Sequence, residues 1–193
     1  MKVIECPRDA MQGIKEFIPT ELKANYINTL LKVGFDTIDF GSFVSPKAIP
    51  QMKDTADVLG RLELNTDTKL LAIVANSRGA SDASQFEEIR YLGYPFSISE
   101  TFQKRNTNRG IADAWNDVQS IQEQAVSANK ELVVYFSMGF GNPYGDAWST
   151  EIVENWTEKF SKLGVKIISL ADTVGAAAPD DIAYLFSKLV KSY

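Results

Sequence analysis

The sequence contains no histidine. That absence removes Ser-His-Asp and Cys-His nucleophilic sites and a zinc site of the usual His/Cys composition, so any chemistry rests on carboxylates, Arg, Lys, Tyr, Ser or one thiol. Cysteine is almost missing as well. Cys6 is alone, which excludes an internal disulfide and makes a reducing compartment the simplest setting. The opening MKVIECPRDAMQGIKEF lacks the apolar stretch of a secretory leader, and no apolar run approaches the length that spans a bilayer. A cytoplasmic protein without membrane contact is the expectation. Nor is there an excess of positive charge: 20 Lys+Arg against 25 Asp+Glu leave a net charge of −5, which argues against a surface built to hold nucleic acid.

What is present is an ordinary globular composition, 45% hydrophobic and 23% charged over 193 residues. That is enough for one domain with a sizeable core, and no linker or low-complexity tract divides residues 1–193. Short apolar runs alternate with helix-period segments. Strands are predicted at Lys2–Cys6, Thr37–Phe40, Leu70–Ala75, Pro95–Ile98, Leu132–Phe136 and Val165–Leu170. Helices are predicted from Pro19 to Val33 with Thr20 as cap, around Pro50–Leu62, and from Ala80 to Tyr91. Three more follow, over Gly110–Ala128, over Thr150–Leu163, and from Pro179 onward. Six βα units spaced by roughly 30 residues imply a parallel sheet covered by helices, either open and doubly wound or part of a (β/α)8 barrel. Almost every strand ends in polar residues: Arg8-Asp9, Ser42, Asn76, Ser99-Glu100, Ser137 and Asp172-Thr173. A barrel draws its site from all strand ends, an open sheet from one crevice, so the pattern favours the barrel.

Several motifs carry chemistry, each beside a plainer reading. Arg8-Asp9 after the first strand is either a solvated turn or an oxygen-ligand metal site, with Asp9 on a hard cation and Arg8 beside a developing oxyanion. Asp39 interrupts an apolar strand, so its carboxylate faces a polar pocket or pairs with Arg8, and both can hold. Gly139–Gly145 is Gly-rich without phosphate-loop or dinucleotide spacing, which leaves a turn. Lys104, Arg105 and Arg109 form either a solvated loop or a phosphate contact. Cys6 reads as a half-buried spectator.

The segments Ser42-Phe43-Val44-Ser45-Pro46-Lys47, Ile49-Pro50-Gln51-Met52, Cys6-Pro7-Arg8-Asp9-Ala10-Met11-Gln12 and Ser169–Gly175 together resemble the 3-hydroxy-3-methylglutaryl-CoA lyases. Asn106-Thr107-Asn108 and Asn142-Pro143-Tyr144 fall where that family has similar segments. The resemblance implies an α/β fold of the (β/α)8 TIM-barrel type, here truncated to about six βα units, the N-terminal three quarters of the barrel. It implies a divalent ion, Mg2+ or Mn2+, and cleavage of 3-hydroxy-3-methylglutaryl-CoA to acetoacetate and acetyl-CoA, a reaction of leucine degradation and ketone-body metabolism. By position it makes Asp9 the metal ligand, Arg8 the enolate-stabilising group, and Asp39 the counterpart of a family glutamate one methylene longer. Asp172 becomes the strand-six aspartate near the substrate, and Gln12, Ser42, Asn76, Tyr135 and Thr173 its substrate contacts. An acyl-CoA partner and a homo-oligomer are implied too. The family's His-x-His after strand seven, its catalytic-cysteine loop and an asparagine from strand eight have no counterpart in these residues. The expectation is therefore a partial enzyme, inactive by itself. A non-catalytic acyl-CoA- or partner-binding homologue, or a synthase condensing acetyl-CoA with a keto acid, are the alternatives.

Overall fold

A computed structural model describes residues 1–192. The strands are β1 (Ile4–Glu5), β2 (Thr37–Ser42), β3 (Lys69–Ile73), β4 (Ile89–Ser97), β5 (Glu131–Ser137) and β6 (Ile167–Leu170). The helices are α1 (Pro7–Gln12), α2 (Thr20–Leu31), α3 (Thr55–Leu59), α4 (Ser77–Ser84), α5 (Glu100–Thr107), α6 (Ile111–Ser127), α7 (Thr150–Lys162) and α8 (Pro179–Ser192), with a 3-10 turn at Pro50–Met52. The strands form one sheet in the order β1-β2-β3-β4-β5-β6, with parallel registers. A doubly wound sheet reverses its strand order at a crevice. This order never reverses, which is the winding of a barrel.

The chain forms two compact units, Met1–Gly93 with Ser127–Lys130, and Tyr94–Val126 with the residues from Glu131 onward. In the first unit every residue of β2 is buried, as expected of a parallel strand covered on both faces. Ala24, Ile27 and Leu31 of α2 join Ile38, Phe40 and Leu70–Val74 in its core. Burying each large aliphatic or aromatic side chain contributes about 1.5–3 kcal/mol. In the second unit Phe96, Phe136, Trp156 and Phe160 pack with ring centroids 4.8–6.2 Å apart.

Some predicted boundaries move. The helix expected over Ala80–Tyr91 ends at Ser84, and Tyr91 pairs with Leu71 in β4. Asn76 caps α4 by accepting the Gly79 N–H at 2.9 Å, and a Cβ on Gly79 would stand 2.6 Å from the Phe43 carbonyl oxygen. A side chain there would push the helix off the strand end, so glycine sets where α4 starts. The region Pro50–Leu62 divides into the 3-10 turn and the short α3. Thr20 does not cap α2. Its hydroxyl donates instead to Asp54 at 2.7 Å, and Pro19 holds the cap position without a side-chain bond. A helix that was not expected, α5, follows β4. Ser99 caps it by accepting the Phe102 N–H, and its one buried residue is polar Gln103, so no apolar stripe announces it.

A buried ion pair sits beneath the first unit's loops. Lys23 of α2 meets Asp54 at 2.7 Å, with side chains 2% and 8% exposed. Replacing Lys23 by methionine keeps the stem and strands the Asp54 carboxylate, a change expected to cost about 3–5 kcal/mol. Urea unfolding of the variant measures it, and a loss below about 1 kcal/mol would show the pair to be dispensable.

Candidate active site

β1 is two residues long, and Pro7 begins α1 directly behind it, with its missing N–H harmless at a first helical position. Arg8 and Asp9 thus lie on the first turn of a six-residue helix rather than in a turn. The Arg8 guanidinium reaches across to β2. Its Nε donates to Asp39 Oδ1 and Oδ2 at 3.2 and 3.1 Å, and its Nη2 to Asp39 Oδ2 at 2.6 Å. Nη1 turns the other way, to Asp9 Oδ1 at 2.7 Å and Gln12 Oε1 at 3.0 Å, and Gln12 Nε2 donates to the same Asp9 oxygen at 3.1 Å. One guanidinium therefore bridges two carboxylates and an amide. Asp39, for all its short side chain, reaches Arg8 with both carboxylate oxygens.

The two carboxylates sit in opposite surroundings. The Asp39 side chain is 1% exposed and that of Asp9 is 64% exposed, with Arg8 at 12% between them. Burial pushes the Asp39 carboxyl up, against the pull of the guanidinium bonded to it. Cys6, half-buried just before α1, has its thiol raised to about 11, by burial first and the Asp39 charge second. At neutral pH it is a protonated thiol and a poor nucleophile.

Two other predicted residues of this unit are engaged with backbone. Ser42 is buried and its Oγ accepts the Val44 N–H at 3.2 Å. Asn76 is the α4 cap described above. In the second unit Asp172 is exposed and accepts the N–H groups of Ala176 and Ala177 at 2.8 and 3.2 Å, which folds the loop after β6. Thr173 Oγ1 accepts the Met138 N–H at 2.8 Å, tying that loop to the end of β5. Tyr135 is half-buried on β5, in register with Ser169 of β6. The cationic cluster expected as a loop is distributed along and beyond α5. Lys104 pairs with Glu100 at 3.0 Å, Arg109 with Asp117, and Arg105 lies 4.7 Å over the Tyr144 ring.

Sequence reading passed over Asp146, at the end of the Gly-rich loop. Its carboxylate accepts the Ser99 hydroxyl at 2.5 Å, and the Thr101 N–H and hydroxyl at 2.8 and 2.9 Å, pinning the loop to the start of α5. Asn142 shapes the loop, its Oδ1 accepting the Tyr144 and Asp146 N–H groups. The available signal was an Asp four residues after an Asn-Pro turn. These bonds hold the Asp146 carboxyl below the ordinary range, the Ser99 hydroxyl contributing most. Glu100 is lowered chiefly by the Ile111 N–H, and Asp36 chiefly by the Thr37 hydroxyl. In all three the unfolded chain takes up the proton first as pH falls. Their stabilisation is present above the ordinary carboxylate pKa of about 4 and is lost below it. The melting temperature should fall between about pH 5 and pH 3, less steeply in Asp146→Asn. Parallel slopes in the two proteins would remove Asp146 from the account.

These residues do not by themselves make a metal centre. Among the described residues no three His, Cys, Asp or Glu side chains gather where an ion could be held. Both Asp39 oxygens are bonded to Arg8, so Asp9 offers the one outward carboxylate of the cluster. A Mg2+ ion wants about six oxygen ligands in near-octahedral array. No helix among the described residues is long and apolar enough to cross a membrane.

The HMGL-like family model matches residues 4–193. Over 99% of this chain there is 32% identity to the mitochondrial hydroxymethylglutaryl-CoA lyase of Macaca fascicularis, and over 97% there is 31% identity to the hydroxymethylglutaryl-CoA lyase YngG of Bacillus subtilis. The chain spans 59% and 62% of the length of those two relatives. The solved HMG-CoA lyase of B. subtilis superposes on all of it with a TM-score of 0.92 at 31% identity, with 65% of that structure covered. The HMG-CoA lyase of Acinetobacter baumannii, solved with coenzyme A and 3-methylmalate, superposes on 98% of it with a TM-score of 0.91 at 31% identity, with 62% of that structure covered. The strand order and these superpositions agree on a TIM-barrel type of fold, represented here by six βα units.

Proposed function

Because the chain belongs to the HMGL-like family, we propose that it carries the enolate-stabilising part of a carbon–carbon lyase domain acting on 3-hydroxy-3-methylglutaryl-CoA. The observation that supports this reading is the Arg8 guanidinium, clamped from one side by buried Asp39 and from the other by Asp9 and Gln12. In the reaction the C3 hydroxyl loses its proton and its oxygen becomes the new keto group of acetoacetate. The C2–C3 bond breaks, and its electron pair passes to C2 and the thioester oxygen as the enolate of acetyl-CoA, which then takes a proton at C2. Negative charge therefore grows on an oxygen that was neutral in the substrate. A fixed, desolvated guanidinium stabilises that charge without reorganising, which is where differential binding counts.

Asp39 has the role of holding Arg8 at one angle. Asp9 and Gln12 fix its second edge, and Asp9 would give a divalent ion one ligand. Ser42, Asn76, Asp172 and Thr173 each hold a backbone N–H just past a strand end. We read each as shaping a loop for the acyl-CoA, Ser42 and Asn76 in the first unit, Asp172 and Thr173 in the second, where Tyr135 lies on β5.

The test is a chimera in which residues 1–193 continue into the part of the B. subtilis lyase that lies beyond the matched region. Acetoacetate release from 3-hydroxy-3-methylglutaryl-CoA, with no condensation of acetyl-CoA and a 2-keto acid, is the expected result. A folded chimera that only condenses would make the chain part of a synthase, and one that does neither would leave it a binding protein.

A further inference from the structure

The segment that leaves α1 has no helix or strand of its own between Gly13 and Pro19, and a side chain from outside the segment holds its backbone. Gln51, 4% exposed on the 3-10 turn, accepts the Ile18 N–H at 3.0 Å and donates to the carbonyls of Ile14 at 3.0 Å and Glu16 at 2.9 Å. Both amide hydrogens and the amide oxygen are thus spent on one short stretch of loop, 33 to 37 residues away in sequence. The clamp is itself braced. The Gln51 carbonyl accepts from Lys23 Nζ, Lys23 pairs with Asp54, and Asp54 also accepts the Thr20 hydroxyl. Phe17 of the same loop lies 4.2 and 4.3 Å beneath the Lys23 and Lys53 ammonium groups.

α1 needs such a brace. It has six residues and buries only Pro7 and Met11, too short a helix to fix its own direction. Yet Arg8 must lie at one angle to meet Asp39 with Nε and Nη2 together. We infer that Gln51 is a positioning residue for Arg8: by fastening the loop that closes α1, it holds the helix where the guanidinium meets both Asp39 and Asp9. Gln51 acts through the backbone of residues 14–18 and through α1. The consequence for turnover rests on the proposed role of Arg8, and the geometric claim stands without it.

The experiment uses residues 1–193 labelled with nitrogen-15. It follows the Arg8 Nε–H resonance, identified by its loss in Arg8→Lys and slowed in solvent exchange by its bond to Asp39. Gln51→Leu keeps the volume and removes all three bonds. Gln51→Glu keeps the acceptor and removes both donors, and it carries the test should the leucine variant not fold. Either is expected to speed exchange at Arg8 Nε by about tenfold or more. The indole N–H of Trp148, bonded to the Gly139 carbonyl at 3.0 Å in the other unit, should keep its rate. An unchanged Arg8 signal in a folded variant overturns the inference. Equal acceleration at Trp148 overturns it too, because Gln51 would then be a general stabiliser. In the chimera, Gln51→Glu should lower kcat with KM nearly unchanged. If the Arg8 signal responds and kcat does not, the positioning stands and the catalytic reading of Arg8 falls.

Discussion

Lysine in place of Arg8 is expected to lower kcat of the chimera by about 100-fold or more while KM moves by less than about threefold. The sign of the charge survives the change, so attraction for an anionic acyl-CoA survives with it. The directed bonds do not. Arg8 holds Asp39 through Nε and Nη2 and holds Asp9 and Gln12 through Nη1, three nitrogens fixed in one plane. An ammonium group is one donor centre on a flexible stem. It can sit against Asp39 or against Asp9, and it cannot span both while facing a growing oxyanion. The loss falls on the step in which charge develops, hence on kcat. Turnover unchanged with KM about tenfold worse would make Arg8 a binding residue instead.

The larger effect is expected from the chain itself. A polypeptide of residues 1–193 alone should show acetoacetate release at least about 1,000-fold below the chimera in Mg2+ or Mn2+, equivalent to about 4 kcal/mol of transition-state stabilisation. The ground is the ligand count. Asp9 is the one carboxylate of the cluster that faces outward, and its Oδ1 is already shared by Arg8 and Gln12. The same polypeptide should bind Mn2+ too weakly to displace the free-ion signal in electron paramagnetic resonance at millimolar concentrations. Turnover within about tenfold of the chimera would overturn both the metal assignment and the reading of this chain as part of a larger site.

Much of this was legible in the residues, and the exceptions have physical causes. Asp39 stood out because an acid amid an apolar strand demands a partner, but its reach to Arg8 depended on the lie of α1, which no local pattern encodes. Lys23 was equally legible and was passed over. It falls four and eight residues before Ile27 and Leu31, on the buried stripe of α2, and a cation there calls for an acid such as Asp54. α5 could not be seen by apolar periodicity, because it is held by Ser99, Gln103 and Asp146 through hydrogen bonds. The helix predicted from Ala80 starts at Ser77, where Gly79 allows it to pack against the Phe43 carbonyl.

The division of the chain into two units also distributes its optical and chemical reporters. The three tryptophans, Trp115, Trp148 and Trp156, all belong to the unit that begins at Tyr94, and the single thiol, Cys6, belongs to the unit that begins at Met1. Indole fluorescence during denaturation is therefore a record of one unit, and disulfide-exchange labelling of the thiol a record of the other. With no engineered dye, the two curves read together state whether the halves of this sheet melt as one cooperative body or in succession.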